Sequence, residues 1–452
     1  MERDEGPGRA RRVPGTRLAR LGRISGAVSH IAANAAFNGA QRLARGERPP
    51  LRDLLLTPAN VSRFAEELAR MRGAAMKMGQ LISMDAGDML PPELAEIMAR
   101  LRAEADHMPP KQLRAVLDQA WGEGWIRRFR RFEGRPIAAA SIGQVHRAET
   151  RDGRSLAIKI QYPGVRRSID SDVANVGTLL RLSGMLPDGV DIAPFLEEAK
   201  RQLHEEADYE REAAHLAAFA AHLSEDPDFT VPTPAPEFTT RDVLAMSFVK
   251  GIPVERMAEA PQAERDRIVR LLLSLMLREL FDFGLVQTDP NFANYRYDPE
   301  TRRIVLLDFG AARAYAPALA KRYRRCLSLG VTGEREGQRE AAILAGFISA
   351  ETAAHHQDAV LDLMAVAAAP FRSAAPTDFG TDRTASRLRD QGYDLAMDRA
   401  FADIVPMDTL YLQRKVAGMY LLARRLRARV DLAALIAPYL EGAANEKRAS
   451  LG

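Results

Sequence analysis

Helical and strand-like periods follow one another along this chain in an order that changes near residue 129. Residues 1–16 are rich in Gly, Pro and Arg and predict an unstructured tail. From Thr16 to about Arg45, Leu18, Leu21, Val28, Ile31 and Ala35 fall near one helical face and Arg17, Arg20 and Arg23 elsewhere, which predicts a weakly amphipathic basic helix. Pro49 and Pro50 break it, and helical spacing returns over 60–84 and 92–105. Strand signals then begin: GRPIAAASIGQVHRAETRDGRSLAIKIQYPG predicts strand, small-residue loop, strand, tight turn and strand, with Asp152-Gly153 supplying the positive φ of the turn. Helices are expected over about 166–184 and 194–223, followed by a Pro-rich break and a short apolar strand over 243–249. Helix then continues through Gly284, a second hairpin turns at Asp298-Pro299, and the remainder is mainly helical.

A β-rich lobe joined by one short segment to a larger helical lobe is the order of a protein-kinase fold, so the class is α+β and bilobal. The expected organisation is a basic leader over 1–50, a helical extension over 51–125, an N-lobe over 126–250 and a helical C-lobe over 251–452. Hydrophobic residues make up 46% and charged residues 27%, enough apolar side chain to exclude wholesale disorder. The net charge of +4 is unevenly placed: the first fifty residues hold ten Arg against four acids, leaving 54 basic and 56 acidic groups in the rest. That leader suits an anionic membrane surface or a targeting role, and equally an ordinary docking helix with a solvated basic side. Aromatics at 6%, with no basic face interleaved with them, argue against nucleic acid as a partner. No stretch has the length of a membrane span, since the most apolar run, Leu271 to Leu277, contains Ser274 and sits between Arg270 and Arg278. The start lacks the apolar core of a secretory signal, and the single Cys326 fits a reducing compartment. Both point to a cytoplasmic protein, attached to the inner membrane peripherally if at all.

Of 64 basic residues only eight are Lys, so each Lys in this chain calls for a reason. On the strand LAIKIQ, Lys159 shares a face with Ala157 and Gln161, where an ammonium could pair α- and β-phosphates. In QTDPNFAN, Asp289 and Asn294 stand five apart, the interval of a catalytic loop whose Asp accepts a proton and whose Asn binds metal. Asp308 of Asp308-Phe309-Gly310 follows the apolar strand IVLL, the place from which a carboxylate holds Mg²⁺ against phosphate oxygens. On a single helix through HEEADYERE, Glu206 and Glu212 would lie about 240° apart. One of them is expected to meet Lys159, although a solvated acidic face accounts for the spacing as well.

RGAAMKMGQLIS, AAASIGQVHRA, AIKIQYPG, EADYEREA, QTDPNFANYRYDP and LLDFGAAR, in this order, resemble the UbiB/AarF/ADCK family of atypical kinases, associated with ubiquinone biosynthesis. The resemblance implies that the N-terminal extension carries a KxGQ motif at Lys77, Gly79 and Gln80, gating the site with Glu206 and Asp208. It makes Glu212 the helix partner of Lys159 and puts the family's alanine-rich loop on Ala138, Ala139, Ala140, Ser141, Ile142 and Gly143. Nucleotide contacts are further implied at Met246 and Val249, around a hinge where Ser247 replaces the acid common in relatives. The implied ligands are ATP or ADP with Mg²⁺, with Lys159 and Glu212 supporting catalysis by Asp289, and Asn294 and Asp308 on the metal. The implied partners are ubiquinone-biosynthesis proteins or lipid intermediates. Alanine resists the positive φ that lets glycine amides approach phosphates, so this loop should hold the γ-phosphate differently from a glycine-rich one. After Gly310 no A-P-E segment follows, and Gln287 stands where HRD loops have His. The leading expectation is therefore an ATPase or small-molecule kinase supporting ubiquinone or prenyl-lipid synthesis. A non-catalytic nucleotide-binding scaffold and a protein kinase acting in trans are the alternatives.

Overall fold

A computed structural model describes residues 108–140, 142–183, 193–332, 334–397 and 405–449. The leader 1–50, the helices expected over 60–84 and 92–105, the KxGQ residues Lys77, Gly79 and Gln80, and Ser141 lie outside the described residues. Two compact units are present: one takes in the chain up to Ala217 together with Pro232–Phe248, the other Ala218–Val231 and the chain from Val249 on. The chain therefore passes between units three times, where a single joining segment was expected.

In the first unit, helix α1 (Pro110–Trp121) and a 3-10 turn lead into strands β1 (Phe129–Phe132), β2 (Ala138–Ala140), β3 (Gly143–Thr150), β4 (Ser155–Gln161) and β6 (Val243–Ser247). All pairings are antiparallel, in the order β1-β3-β4-β6, with β2 also on β3. Asp152-Gly153 turns the β3–β4 hairpin with Gly153 at φ 89°, and Glu149 pairs with Ser155. The expected loop of alanines is narrower than it looked: Ala138, Ala139 and Ala140 pair with Val145, Gln144 and Gly143, so they form a strand running up to the hairpin tip. Behind β1, Trp121, Trp125, Phe129, Phe132 and Phe238 make an aromatic cluster with neighbouring ring centroids 4.9–6.2 Å apart. Its geometries are mostly edge-to-face, as ring quadrupoles favour.

Three helices complete the unit's packing: α2 (Val165–Ser183), α3 (Ala193–Glu206) and the start of α4 (Tyr209–His222). The single helix expected over 194–223 is two. Ala207 and Asp208 form the break, the Asp208 carboxylate accepts the Arg211 amide at 3.2 Å, and Gln161 on β4 donates its side-chain N–H to the Ala207 carbonyl at 2.8 Å. Capping and capture of that carbonyl satisfy the groups the broken helix leaves open. The 240° relation between Glu206 and Glu212 consequently does not apply.

The second unit takes the end of α4 and then β5 (Phe229–Thr230), which pairs in parallel with β10 (Arg303–Leu306); β10 also pairs with β9 (Tyr295–Asp298), and β9 with β7 (Ile252–Pro253). Its central helix, α5 (Gln262–Arg278), buries Ile268, Val269, Leu271, Leu272, Leu273 and Leu275, so the run too short for a membrane lies in a protein core. A single π-helical turn, Glu279–Phe283, extends it to Gly284 at φ 63°. Short strands β8 (Leu285–Gln287) and β11 (Ala312–Ala314) pair antiparallel, as do β12 (Thr377–Asp378) and β13 (Arg429–Val430). The remaining helices are α6 (Pro317–Thr332), α7 (Arg335–Ala345), α8 (Ala354–Ala368), α9 (Thr384–Met397), α10 (Met407–Arg425) and α11 (Leu432–Ala449). Among the described residues no helix is long and apolar enough to cross a membrane.

Candidate nucleotide and metal site

In the first unit, β4 is buried on both faces, which is why a lysine in it must be paired. Lys159 Nζ donates to both carboxylate oxygens of Glu212, at 2.8 and 3.0 Å, and stands 5.1 Å from the Tyr209 ring centroid. The side chains of Lys159 and Glu212 are only 9% and 1% exposed. Two residues along β4, Gln161 holds the turn before α4, so one strand face sets both the start of the helix and the carboxylate on its first turn. Glu206 ends α3 and Asp208 lies in that turn, both half-buried, with Arg241 3.9 Å from Asp208. Lys77, their expected partner, is outside the described residues.

Gly143 is required by packing. A Cβ there would stand 2.3 Å from the Ile160 carbonyl oxygen and 3.0 Å from the Tyr209 hydroxyl. Next to it, Ile142 has its side chain in the hydrophobic core and its carbonyl on the Tyr162 amide, so only backbone remains for a ligand. Ala138 and Ala139 are exposed. Met246 lies buried in β6 of the first unit, whereas Val249 opens the second unit's long segment. His146 is buried between Gln144 and the Glu133 carbonyl, and His204 meets Asp170 at 3.0 Å.

In the second unit, the loop from Asp289 to Asn294 joins β8 to β9. Asp289 accepts the Asn291 amide at 3.3 Å through one oxygen and the Asn294 side-chain N–H at 3.3 Å through the other. With its nitrogen so engaged, the Asn294 oxygen is the end available to a cation. The Asn294 carbonyl accepts the Leu307 amide at 3.1 Å, tying the loop to the residue before Asp308. Asn294 and Asp308 line one cavity of about 10 Å³. Asp308 caps the Gly310 amide at 3.0 Å, while Phe309 is buried with its ring 4.8 Å from that of Phe219. Gln287 donates its side-chain N–H to the Asp308 carbonyl at 3.2 Å, a donor role that needs no imidazole. Only residues 311–316 separate Gly310 from α6, and three of them are in β11.

Three residues that the sequence did not single out brace this loop. Lys415 on α10 donates to the Tyr295 hydroxyl at 2.8 Å and stands 3.2 Å from Glu279, all three buried. Burial works against the Lys415 ammonium, but Glu279 and Tyr295 outweigh it and hold Lys415 above its ordinary range. Burial pushes Glu279 and Tyr295 upward as well. Cys326 is likewise buried, its thiol pushed up to about 12 and donating to the Ala341 carbonyl at 2.9 Å.

Residues 100–342 match the family model described as the ABC1 atypical kinase-like domain, more than half of the chain. The chain belongs to the ABC1/UbiB family of atypical kinases. It is 36% identical over 424 residues to the mitochondrial atypical kinase COQ8 of Saccharomyces cerevisiae, covering 94% of this chain and 84% of that protein. It is 37% identical over 423 residues to mitochondrial COQ8B of Danio rerio, covering 93% and 68%. Among solved structures, Rv3197 of Mycobacterium tuberculosis in complex with erythromycin matches with a TM-score of 0.59 at 25% identity, covering 82% of this chain and 92% of that one. For this ABC1 chain the α+β, kinase-like architecture thus agrees with the element order read from the sequence, while the KxGQ motif lies where nothing is described.

Proposed function

We propose that this ABC1 chain is an ATP-binding, Mg²⁺-dependent kinase or ATPase that supports ubiquinone or related prenyl-lipid synthesis. The observation that carries this reading is the Asp289–Asn294 hydrogen bond beside Asp308, an oxygen-rich donor set of the kind a hard divalent cation takes. Among the described residues no three His, Cys, Asp or Glu side chains gather for a metal. A carboxylate with an amide oxygen fits Mg²⁺, which takes its other ligands from phosphates and water. Asn294 and Asp308 would hold that ion, which supplies neutralisation of phosphate charge. Asp289, with both oxygens already accepting, orients the attacking hydroxyl or water and takes its proton. Lys159, held by Glu212, would neutralise α- and β-phosphate oxygens. The short segment after Gly310 favours a small acceptor over a docked peptide.

The naming of the COQ8 relatives supports a role near quinone synthesis, and the basic leader supports peripheral attachment to an anionic membrane. The test is ATP turnover by purified protein with Mg²⁺, with and without anionic liposomes. Asp308→Asn should abolish it, and unchanged turnover would overturn the metal assignment. Quinone profiling of a deletion strain tests the pathway. Rescue of that strain by Asp289→Asn and Asp308→Asn proteins would favour the scaffold alternative.

A further inference from the structure

We propose that Lys415 is a positioning residue for the catalytic loop, acting with Glu279 and Tyr295 as a buried tripod that fixes Asp289 and Asn294; this rests on the function proposed above. Tyr295 directly follows Asn294, and its hydroxyl receives the Lys415 ammonium at 2.8 Å. The same ammonium meets Glu279 at 3.2 Å, and the Gln287 backbone amide, just ahead of the loop, lies against the Glu279 carboxylate. Glu279 opens the π-helical turn that ends α5, and such single turns recur at functional sites. One turn beyond Lys415 on the same face of α10, Gly418 has no room for a side chain: a Cβ would stand 2.1 Å from Cβ of Pro290. Pro290 directly follows Asp289. Helix α10 therefore grips both ends of the loop, through Gly418 beside Asp289 and through Lys415 beside Asn294.

Stability alone does not account for this arrangement. Desolvating two charges offsets most of their attraction, and well-packed apolar residues usually do as well. What the ion pair adds is direction: a lysine reaching two fixed oxygens has one position, and the loop backbone inherits it. The cost of error is high, because a displacement of about 1 Å in a positioned group lowers turnover about 100-fold.

The test uses full-length protein carrying Lys415→Met with Glu279→Leu, which removes both charges at once, and separately Gly418→Ala. Each variant should bind ATP within about twofold of the parent while kcat falls about 100-fold, a split that general destabilisation does not produce. Hydrogen–deuterium exchange over residues 289–294 should rise in both. If the parent itself turns over no ATP, the proposed function fails and exchange still decides the tripod. Unchanged protection of that loop, or unchanged kcat in an active parent, would overturn it.

Discussion

Breaking the Lys159–Glu212 pair from one side should cost far more than removing it whole. Lys159→Met leaves the Glu212 carboxylate, 1% exposed, without its cation, and Glu212→Leu leaves the ammonium without its anion. Removing one partner of such a pair costs about 3–5 kcal/mol. The double variant Lys159→Met with Glu212→Leu buries no charge and should cost less than about 1.5 kcal/mol, because the volumes are nearly kept. The two singles then sum to at least about 6 kcal/mol, so the coupling between the positions is at least about 4.5 kcal/mol. Both Trp residues of the chain, Trp121 and Trp125, lie in the first unit with rings 5.6 Å apart, so urea titration followed by tryptophan fluorescence reports on this unit. Single-variant losses that simply add in the double, or singles within about 0.5 kcal/mol of the parent, would refute the reasoning. Either result would mean that water screens the pair despite its burial.

Gly143→Ala should destabilise the first unit by about 1–3 kcal/mol in the same titration, since the new methyl meets the Ile160 carbonyl, which cannot move without its strand. Phe129→Ala should cost about 3–5 kcal/mol by opening the aromatic cluster. Cys326 should resist an aromatic disulfide reagent at pH 8 until the protein unfolds; because the fold raises its thiol from 9.0 to about 12, the stability it contributes is complete below pH 9 and lost as pH rises beyond it. Gln287→His should keep a donor to the Asp308 carbonyl but add a group that titrates near pH 6.5, so ATP turnover should acquire a pH limb there that the parent lacks.

The parts of the candidate site whose placement was readable from sequence are those in which local spacing and three-dimensional position coincide. Asp289 and Asn294 are five residues apart on one loop, Asp308 ends an apolar strand, and Lys159 has its face fixed by strand alternation, so short-range rules place them. The break at Ala207 and Asp208 escaped because neither residue stops a helix by itself. What stops it is Gln161, 46 residues earlier on another element, taking the Ala207 carbonyl. Lys415 escaped for the same reason at a longer range, since 120 residues separate it from Tyr295. A signal was nevertheless present: with eight Lys in the chain, the argument that each lysine needs a reason applied to Lys415 as strongly as to Lys77 and Lys159. Gly418 carries no local signature either, because its lack of a side chain answers to Pro290 and not to any turn of its own.

Both units use one device to hold backbone next to an acid. Gln161 donates an amide N–H to Ala207, between Glu206 and Asp208, and Gln287 donates one to Asp308 itself. Both glutamines are buried, at 3% and 4% exposure, and both lie at the end of a strand. A buried cation in either place would draw the neighbouring carboxylate into an ion pair and away from a ligand. A histidine would change its charge between pH 5 and 8. A neutral amide directs the main chain through a hydrogen bond worth about 1 kcal/mol and leaves the acid's charge for its own partner. The two lysines buried among the described residues, Lys159 and Lys415, each meet one carboxylate and one tyrosine. Neutral donors thus shape the backbone and paired ions fix the side chains in both units.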